Sequence, residues 1–461
     1  MKELCKRIST GGGAFLPARR SESKRRNDLN MEESKDIYKK SRVLYILEAT
    51  FEYFISLLVT GAYLAKITDS LGMSDTLTGI LTSFVSLGCG FQMIAIFLAN
   101  KRPVKHWVTI LHSINQLAFA LIYLVPFVNL SQTAKVVLFI AFLLIGHIIN
   151  NIVNSPKINW FMSLVDDNKR GSFTASKEMV SLIGGMGFSF AMGAVIDHFE
   201  AIGNLNAAFI VCGFSVFALM LLHSATMIFS KEKAVTEQEK VPTKQLLGEL
   251  IRDKNLLKVT MISVLWSVVS CSATPFYGSY QVKELAFSMT FISVLSAAYA
   301  IVRTVFSKAM GKFADKYSFA SMLNICFIIM LAAFGINMFT VPENGKVFYT
   351  VYYMLNAIGM AGINSAVINL IYDYVEKEKR IGALALKSTF AGFAGFFTTL
   401  IVSPLVSHIQ NNGNQFLGLH VYAQQVVSAI AVVLLIVLLL YLNLVVKKIG
   451  KIKTEQSEKT N

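Results

Sequence analysis

Twelve apolar runs, each long enough to cross a bilayer, decide most of what this chain can fold into. A spanning helix needs roughly 20 residues, because the hydrocarbon core is about 30 Å thick and a helix rises about 1.5 Å per residue. Runs of that length fall at 43–64, 76–98, 106–128, 134–164, 177–198 and 207–229, then at 258–281, 289–309, 319–340, 347–374, 383–408 and 420–446. The fourth, tenth and twelfth are long and are expected to tilt or to extend beyond the bilayer. Of the 461 residues, 54% are hydrophobic and only 15% charged, more apolar surface than a soluble globule uses. The expected class is an all-α integral membrane protein.

The charges give the orientation. All but six of the 43 Lys and Arg fall on one side: the N-terminal tail, the connections after even-numbered runs and the C-terminal tail. Lys66, Lys135, Lys283 and Lys346 lie on the other side, and Lys157 and Arg303 lie inside runs. Basic loops stay in the cytosol, so both termini are expected there, in a plasma-membrane protein with an even number of spans. The same asymmetry accounts for the net charge of +15 without a nucleic-acid partner.

Outside the spans the chain is thin. Residues 1–42 form a basic tail with the clusters Lys6-Arg7, Arg19-Arg20 and Lys24-Arg25-Arg26. Its apolar piece from Gly11 to Pro17 is too short for a signal-peptide core. A start at Met31 would retain every span, so residues 1–30 are expected to be disordered or an upstream extension of the reading frame. Residues 230–257 are the one long connection. They begin with the mixed-charge run Lys231 to Lys240 and end with Leu246, Leu247, Leu250 and Ile251 at helical spacing, as in an amphipathic helix on a membrane surface or beneath the bundle. Residues 447–461 form a second cytosolic tail. Cys5, Cys89, Cys212, Cys271 and Cys326 have neither disulfide nor metal spacing and read as packing residues.

The chain repeats itself at an offset of 210 residues. Asn154-Ser155, Ile158-Asn159, Lys169-Arg170 and Lys177 return as Asn364-Ser365, Ile368-Asn369, Lys379-Arg380 and Lys387. Val165/Val375, Ala175/Ala385, Gly185/Gly395 and His198/His408 keep the offset. Each copy reads helix, short charged loop, helix. The spans therefore form two related halves, 43–229 and 258–446. The ends of the first and seventh runs also echo one another, as Gly61-x-Tyr63-x-x-Lys66 and Gly278-x-Tyr280-x-x-Lys283.

Two six-span halves, a central loop and internal termini resemble the major facilitator superfamily. The loop Gly311-Lys-Phe-Ala-Asp315-Lys316 is similar to that family's Gly-x-x-x-Asp-Arg/Lys signature. The corresponding first-half loop, Leu98-Ala-Asn100-Lys101-Arg102, departs from it: Asn100 stands where the family has Asp, and the leading Gly is missing. The resemblance implies twelve helices in two pseudo-symmetric bundles, with helices 1, 4, 7 and 10 lining a central cavity. It also implies a cytosolic latch in which Asp315, in a tight turn, accepts hydrogen bonds at the positive N-terminus of helix 5, near Arg170 and Lys177. Arg380 and Lys387 repeat those two positions at the start of helix 11.

Ionisable groups inside spans mark pathways or pairs. Glu48 and Glu52 are four apart on the first run and share a face. Lys157, beside Pro156, and Arg303 lie at similar depth, so the two acids and two bases are expected to neutralise one another across the cavity. Proton uptake at Glu48 or Glu52, changed by solute binding, would couple transport to a proton or another cation; a static ion pair is the competing role. A polar lining is expected from Asn150, Asn151 and Asn154, from Asn356, Asn364 and Asn369, and from Trp266, Ser270, Thr274 and Tyr277. Interhelical hydrogen bonding is the alternative role for any one of these, and the repeated pair Asn154/Asn364 reads as structural. His112, Asn115 and Gln116 read as hydrogen-bonded packing. Gly184, Gly185, Gly187, Gly193, Gly392 and Gly395 suit closely approaching, sliding helices.

No phosphate-binding loop, nucleophile elbow or metal cluster appears in the sequence, so neither an ATP-driven pump nor an enzyme is expected, and no cofactor. The expected function is secondary active transport of a small polar organic solute by alternating access, by a monomer, with protons or another cation as coupling partner. Carbohydrate, nucleoside and organic anion all remain open as solutes. Efflux of amphipathic compounds is the alternative, disfavoured by the absence of Pro between Lys177 and His198, where the superfamily's drug/proton antiporters carry a Gly-Pro signature. A non-transporting receptor or lipid-modifying protein is a third reading.

Overall fold

The computed structural model describes residues 37–99, 103–166, 169–233, 243–375 and 379–449. The basic clusters of the N-terminal tail, the Asn100-Lys101-Arg102 motif and most of the linker's charged run lie outside them. The first half contains α1 (Lys39–Leu58), α2 (Gly61–Ser70), α3 (Asp75–Thr82), α4 (Phe84–Gly90), α5 (Gln92–Ala99), α6 (Lys105–Ile122), α7 (Gln132–Met162), α8 (Arg170–Ala201) and α9 (Leu205–Phe229). A linker helix, α10 (Thr243–Arg252), leads to the second half. That half holds α11 (Lys254–Cys271), a short helical continuation to Glu284, α12 (Met289–Lys316), α13 (Phe319–Asn337), α14 (Gly345–Tyr372), α15 (Arg380–Asn411) and α16 (Ala423–Leu444). A two-stranded hairpin, β1 (Gln415–Phe416) and β2 (Leu419–His420), separates the last two helices.

Among the described residues ten helical segments are long and apolar enough to cross a membrane, one of them the run Asp75–Ala95 through α3, α4 and α5, and the bent pair α1/α2 makes an eleventh. The remaining run is α6. Its polar residues His112, Asn115 and Gln116 are buried at 0%, 0% and 1% exposure, inside the bundle and away from lipid. A count of twelve spans fits this arrangement.

Two expected spans are broken. The first bends by 46° between α1 and α2, where Gly61 takes a φ of +57°, a left-handed conformation that costs a side-chain-bearing residue about 1–2 kcal/mol. The seventh breaks at Thr274–Phe276, where Pro275 has no N–H to continue the helix. The first helix also starts at Lys39, ahead of the expected 43, because Ser41 is buried and accepts a hydrogen bond from the Lys231 backbone N–H at 2.9 Å.

Within each half the helices pack around their own core, α1 on α8 and α9, α6 on α7 and α9, α13 on α14 and α16, α11 on α15 and α16. The halves meet along two seams between long helices and at a third contact, where the broken seventh span lies on α2 and α3. Helix α15 lies on α3, α4 and α5, and α12 lies on α8. These seams exchange equivalent helices of the repeat, as a pseudo-twofold relation requires. In the first seam, a Cβ built on Gly392 would lie 2.5 Å from both the Gly90 nitrogen and the Ser86 oxygen, so only glycine permits that backbone approach. The linker helix buries Leu247 and Leu250, leaves Ile251 exposed and docks against α15, with Glu249 paired to Lys379 at 3.1 Å.

Taking the face of residues 37 and 449 as the basic side, the far side is closed. Lys283 Nζ bridges Asp69 and Asp75 across the halves at 2.9 and 2.7 Å. Gln410 Nε2 donates to Asp75 at 2.7 Å, and the Tyr63 hydroxyl lies 3.1 Å from that of Ser293. Both carboxylate oxygens of Asp197, on α8, accept from the first backbone N–H groups of α12, Met289 at 2.7 Å and Thr290 at 2.8 Å.

The echoed Gly-x-Tyr-x-x-Lys stretches meet at this seam. A Cβ on Gly278 would lie 2.8 Å from the Gly61 carbonyl oxygen. Gly278→Ala is therefore expected to loosen the far side. A cysteine at Thr76 in a cysteine-free background should react several-fold faster with a membrane-impermeant thiol reagent; an unchanged rate would mean that this contact does not hold the seam.

Candidate functional site

The charged residues of the first half converge on one buried cluster. Helical spacing brings Glu48 and Glu52 to one face of α1, and α6, α7 and α9 supply His112, Lys157 and His223. Glu48, Lys157, His112 and His223 are almost wholly buried, and the Glu52 side chain is 21% exposed. The Lys157 ammonium donates to Glu48 Oε1 at 2.9 Å, to Glu52 Oε2 and to His112 Nε2 at 3.0 Å. His223 Nε2 lies 3.0 Å from the same Glu48 oxygen, and the two imidazoles meet edge to face, with ring centroids 4.6 Å apart.

The hydrogen-bond network assigns the protons. Asn115 Nδ2 donates to the Gly146 carbonyl at 2.6 Å, so its Oδ1 faces His112 Nδ1, at 3.1 Å. His112 therefore carries its proton on Nδ1, and Nε2 is free to accept from the ammonium. His223 donates through Nε2. With both imidazoles neutral, two carboxylates and one ammonium would leave the cluster with a single net negative charge. Glu48 Oε2 and His223 Nδ1 are both buried without a hydrogen-bond partner, so the cluster holds two unsatisfied polar atoms.

Glu48, Glu52, His112 and His223 each bring one possible metal-ligating atom within 4.8 Å of the others. Sequence spacing hid this group because its members come from three helices. The Lys157 ammonium already hydrogen-bonds three of the four, and so stands where a bound cation would stand.

The other expected site residues are spread more widely. Arg303 does not join the cluster; it lies near Tyr53 of α1 and Tyr299 of its own helix, and among the described residues it makes no ion pair with either glutamate. The ion pairing expected across the cavity occurs instead within one half: Lys157 alone pairs with both glutamates, and two histidines occupy the contacts expected of Arg303. Asn151 donates to the His147 carbonyl at 3.0 Å and accepts from the Cys89 thiol at 3.3 Å. Asn150 is half-buried with an unpartnered oxygen, Asn154 is half-buried, and Asn364 is exposed. Asn356 accepts from the Tyr299 hydroxyl at 3.2 Å. Trp266 stacks on Phe327, with centroids 5.5 Å apart. Tyr277 is drawn into the second-half core, 4% exposed, with its hydroxyl 2.8 Å from that of Ser428, and so does not line a cavity.

The residues expected to gate the basic side lie on helix ends. Gly311, Asp315 and Lys316 belong to the last turns of α12, where a turn was expected, because the helix runs on to Lys316. Asp315 is exposed, and Lys316 lies over the Tyr317 ring at 5.1 Å. Arg170 and Arg380 each open a helix, α8 and α15. Lys177 lies over the Tyr45 ring at 5.3 Å, and Arg380 over that of Tyr372 at 4.7 Å. Lys387 is half-buried near Cys89 of the other half.

Sequence reasoning missed His223 and the far-side residues Asp69, Asp75, Asp197 and Gln410. A lone ionisable residue in the apolar run 207–229 was the available signal for His223.

Known proteins agree with this architecture. A family model described as MFS/sugar transport protein matches residues 105–447. A mutant of the nucleoside transporter NupG superposes with a TM-score of 0.69 at 14% identity, covering 88% of this chain and 99% of that one. The D-xylose-proton symporter gives 0.63 at 11% identity, covering 86% and 97%. A bacterial homolog to the human lysosomal transporter Spinster gives 0.61 at 13% identity, covering 88% and 96%. No curated protein matches the chain by sequence. Identities this low speak for the fold alone, whereas the family model covers most of the chain's length: this multi-pass membrane protein belongs to the MFS/sugar transport protein family of the major facilitator superfamily, and is a secondary transporter.

Proposed function

We propose that this transporter carries a small polar organic solute, of the carbohydrate or nucleoside class, in symport with a proton or another small cation taken up by the Glu48–Glu52–His112–Lys157–His223 cluster. The observation that carries the reading is the cluster's make-up: two carboxylates share one ammonium in a buried site, and Glu48 Oε2 has no hydrogen-bond partner. A site of this kind gains most from one more proton or cation. Glu52, its one partly exposed member, is where that charge would arrive. The family description and the nucleoside and D-xylose transporters of the same fold favour a hydroxylated solute. Half-buried amides on α7 and α14 and the face of Trp266 offer groups to bind one.

The test is uptake into proteoliposomes of labelled pentoses, hexoses and nucleosides, with and without an imposed proton or sodium gradient. Concentrative uptake of at least one solute is expected under one gradient. Glu52→Gln is expected to abolish uphill uptake while retaining solute exchange. Equal accumulation with and without both gradients, or full concentrative uptake by the variant, would remove the cluster from coupling.

A further inference from the structure

We infer that the far-side seam contains a binding site for a hard, oxygen-coordinated cation, with Ca²⁺ the best match in charge. A pocket of about 20 Å³, the room of one water or one unhydrated ion, lies between α3 and the broken seventh span. Asp75 and Glu284 line it with carboxylates, and Ser279 and Gln424 line it with neutral oxygens. Ser279 and Gln424 are each 2% exposed. In both, the side-chain oxygen, Oγ of Ser279 and Oε1 of Gln424, is buried without a hydrogen-bond partner. Gln424 has committed its amide nitrogen to Asn337 at 3.0 Å, so that orphaned oxygen can only accept. A buried acceptor without a donor costs about 1–3 kcal/mol. No Lys or Arg lines the pocket.

The charge around the pocket points the same way. Lys283 is shared between Asp69 and Asp75, and Glu284 lies close enough to feel both Asp75 and Lys283. Three carboxylates against one ammonium leave two negative charges. The donors are all oxygens, with neither sulfur nor imidazole, which selects Ca²⁺ or Na⁺ over transition metals. A water molecule could satisfy the orphaned oxygens, but it would leave the charge uncompensated.

The site joins the halves, since Asp75 belongs to the first and Ser279, Glu284 and Gln424 to the second. It exists only while the far side is closed, so a cation bound there favours this conformer and opposes opening to the far side.

The experiment uses the full-length protein purified in detergent, titrated with CaCl₂, MgCl₂ or NaCl at ionic strength held constant with choline chloride. Saturable thermal stabilisation by Ca²⁺ is expected, with a midpoint of roughly 0.1–1 mM as in extracellular Ca²⁺ modules. Glu284→Gln should raise that midpoint at least several-fold while leaving the melting temperature without Ca²⁺ little changed. Ca²⁺ should also slow thiol labelling of a cysteine at Thr76. A larger response to Na⁺ than to Ca²⁺ would keep the site and overturn the assignment of charge. No cation-specific response up to about 10 mM, a concentration well above that range, would mean that the pocket holds water only. Stabilisation that persists unchanged in Glu284→Gln would place the ion elsewhere.

Discussion

Lys157→Met is expected to destabilise the protein by about 3–5 kcal/mol, the typical cost of removing one partner from a buried ion pair. The substitution strands Glu48, which is fully buried, beside Glu52, with only neutral imidazoles to answer two carboxylates. Most of the cost arises from the charge left behind and little from the contact that is lost. Lys157→Met combined with Glu48→Gln should therefore recover a large part of the stability, and thermal unfolding of the two single variants and the double variant in detergent measures the coupling. The recovered protein should bind solute yet fail to accumulate it. If Lys157→Met melts with the parent, the cluster does not hold the ionised pairs that the coupling mechanism needs.

The second large effect is expected at Asp197. Its carboxylate accepts from two backbone N–H groups at the start of α12, where the helix dipole adds to the attraction, and it does so from the opposite half. Charge-assisted hydrogen bonds contribute about 1.5–3 kcal/mol. Asp197→Ala should thus shift the balance between closed and open far side by about tenfold to a hundredfold, since about 1.4 kcal/mol is a factor of ten. Spin labels placed across the α8–α12 seam should report a longer mean distance, and far-side thiol labelling should quicken. A distance distribution matching that of the parent would show that the cap does not contribute to closure. The latch inferred from the resemblance, at Asp315, belongs to the other side of the molecule. The closed seam described here is held by a carboxylate that the signature does not include.

Much of this architecture was legible in the residues, for reasons of scale. A bilayer demands about 20 apolar residues per crossing, a demand long enough to be read without knowing neighbours. The breaks were less legible. Gly61 and Pro275 were visible, but a glycine or proline in a spanning helix is often accommodated, and only the surrounding packing shows that each ends a helix. The polar run at α6 was recognised, yet its role was not, because His112 acquires meaning from Lys157 and His223 on other helices.

By itself the sequence determined that the chain crosses a membrane many times as helices, that it is made of two related halves and that unusual charge lies near the middle of the first, since these follow from local hydropathy and internal repetition. Only the tertiary structure decided which charges pair. It moved Arg303 out of the cluster, brought His223 in, sank Tyr277 into the core and set Asp197, Asp75 and Lys283 on facing sides of a seam. The reason is the range of the interactions. Hydrophobic periodicity is a property of one helix, whereas a hydrogen bond closes over about 3 Å between atoms whose residues stand far apart in the chain, and the register that brings them together is set by the packing of every helix between them.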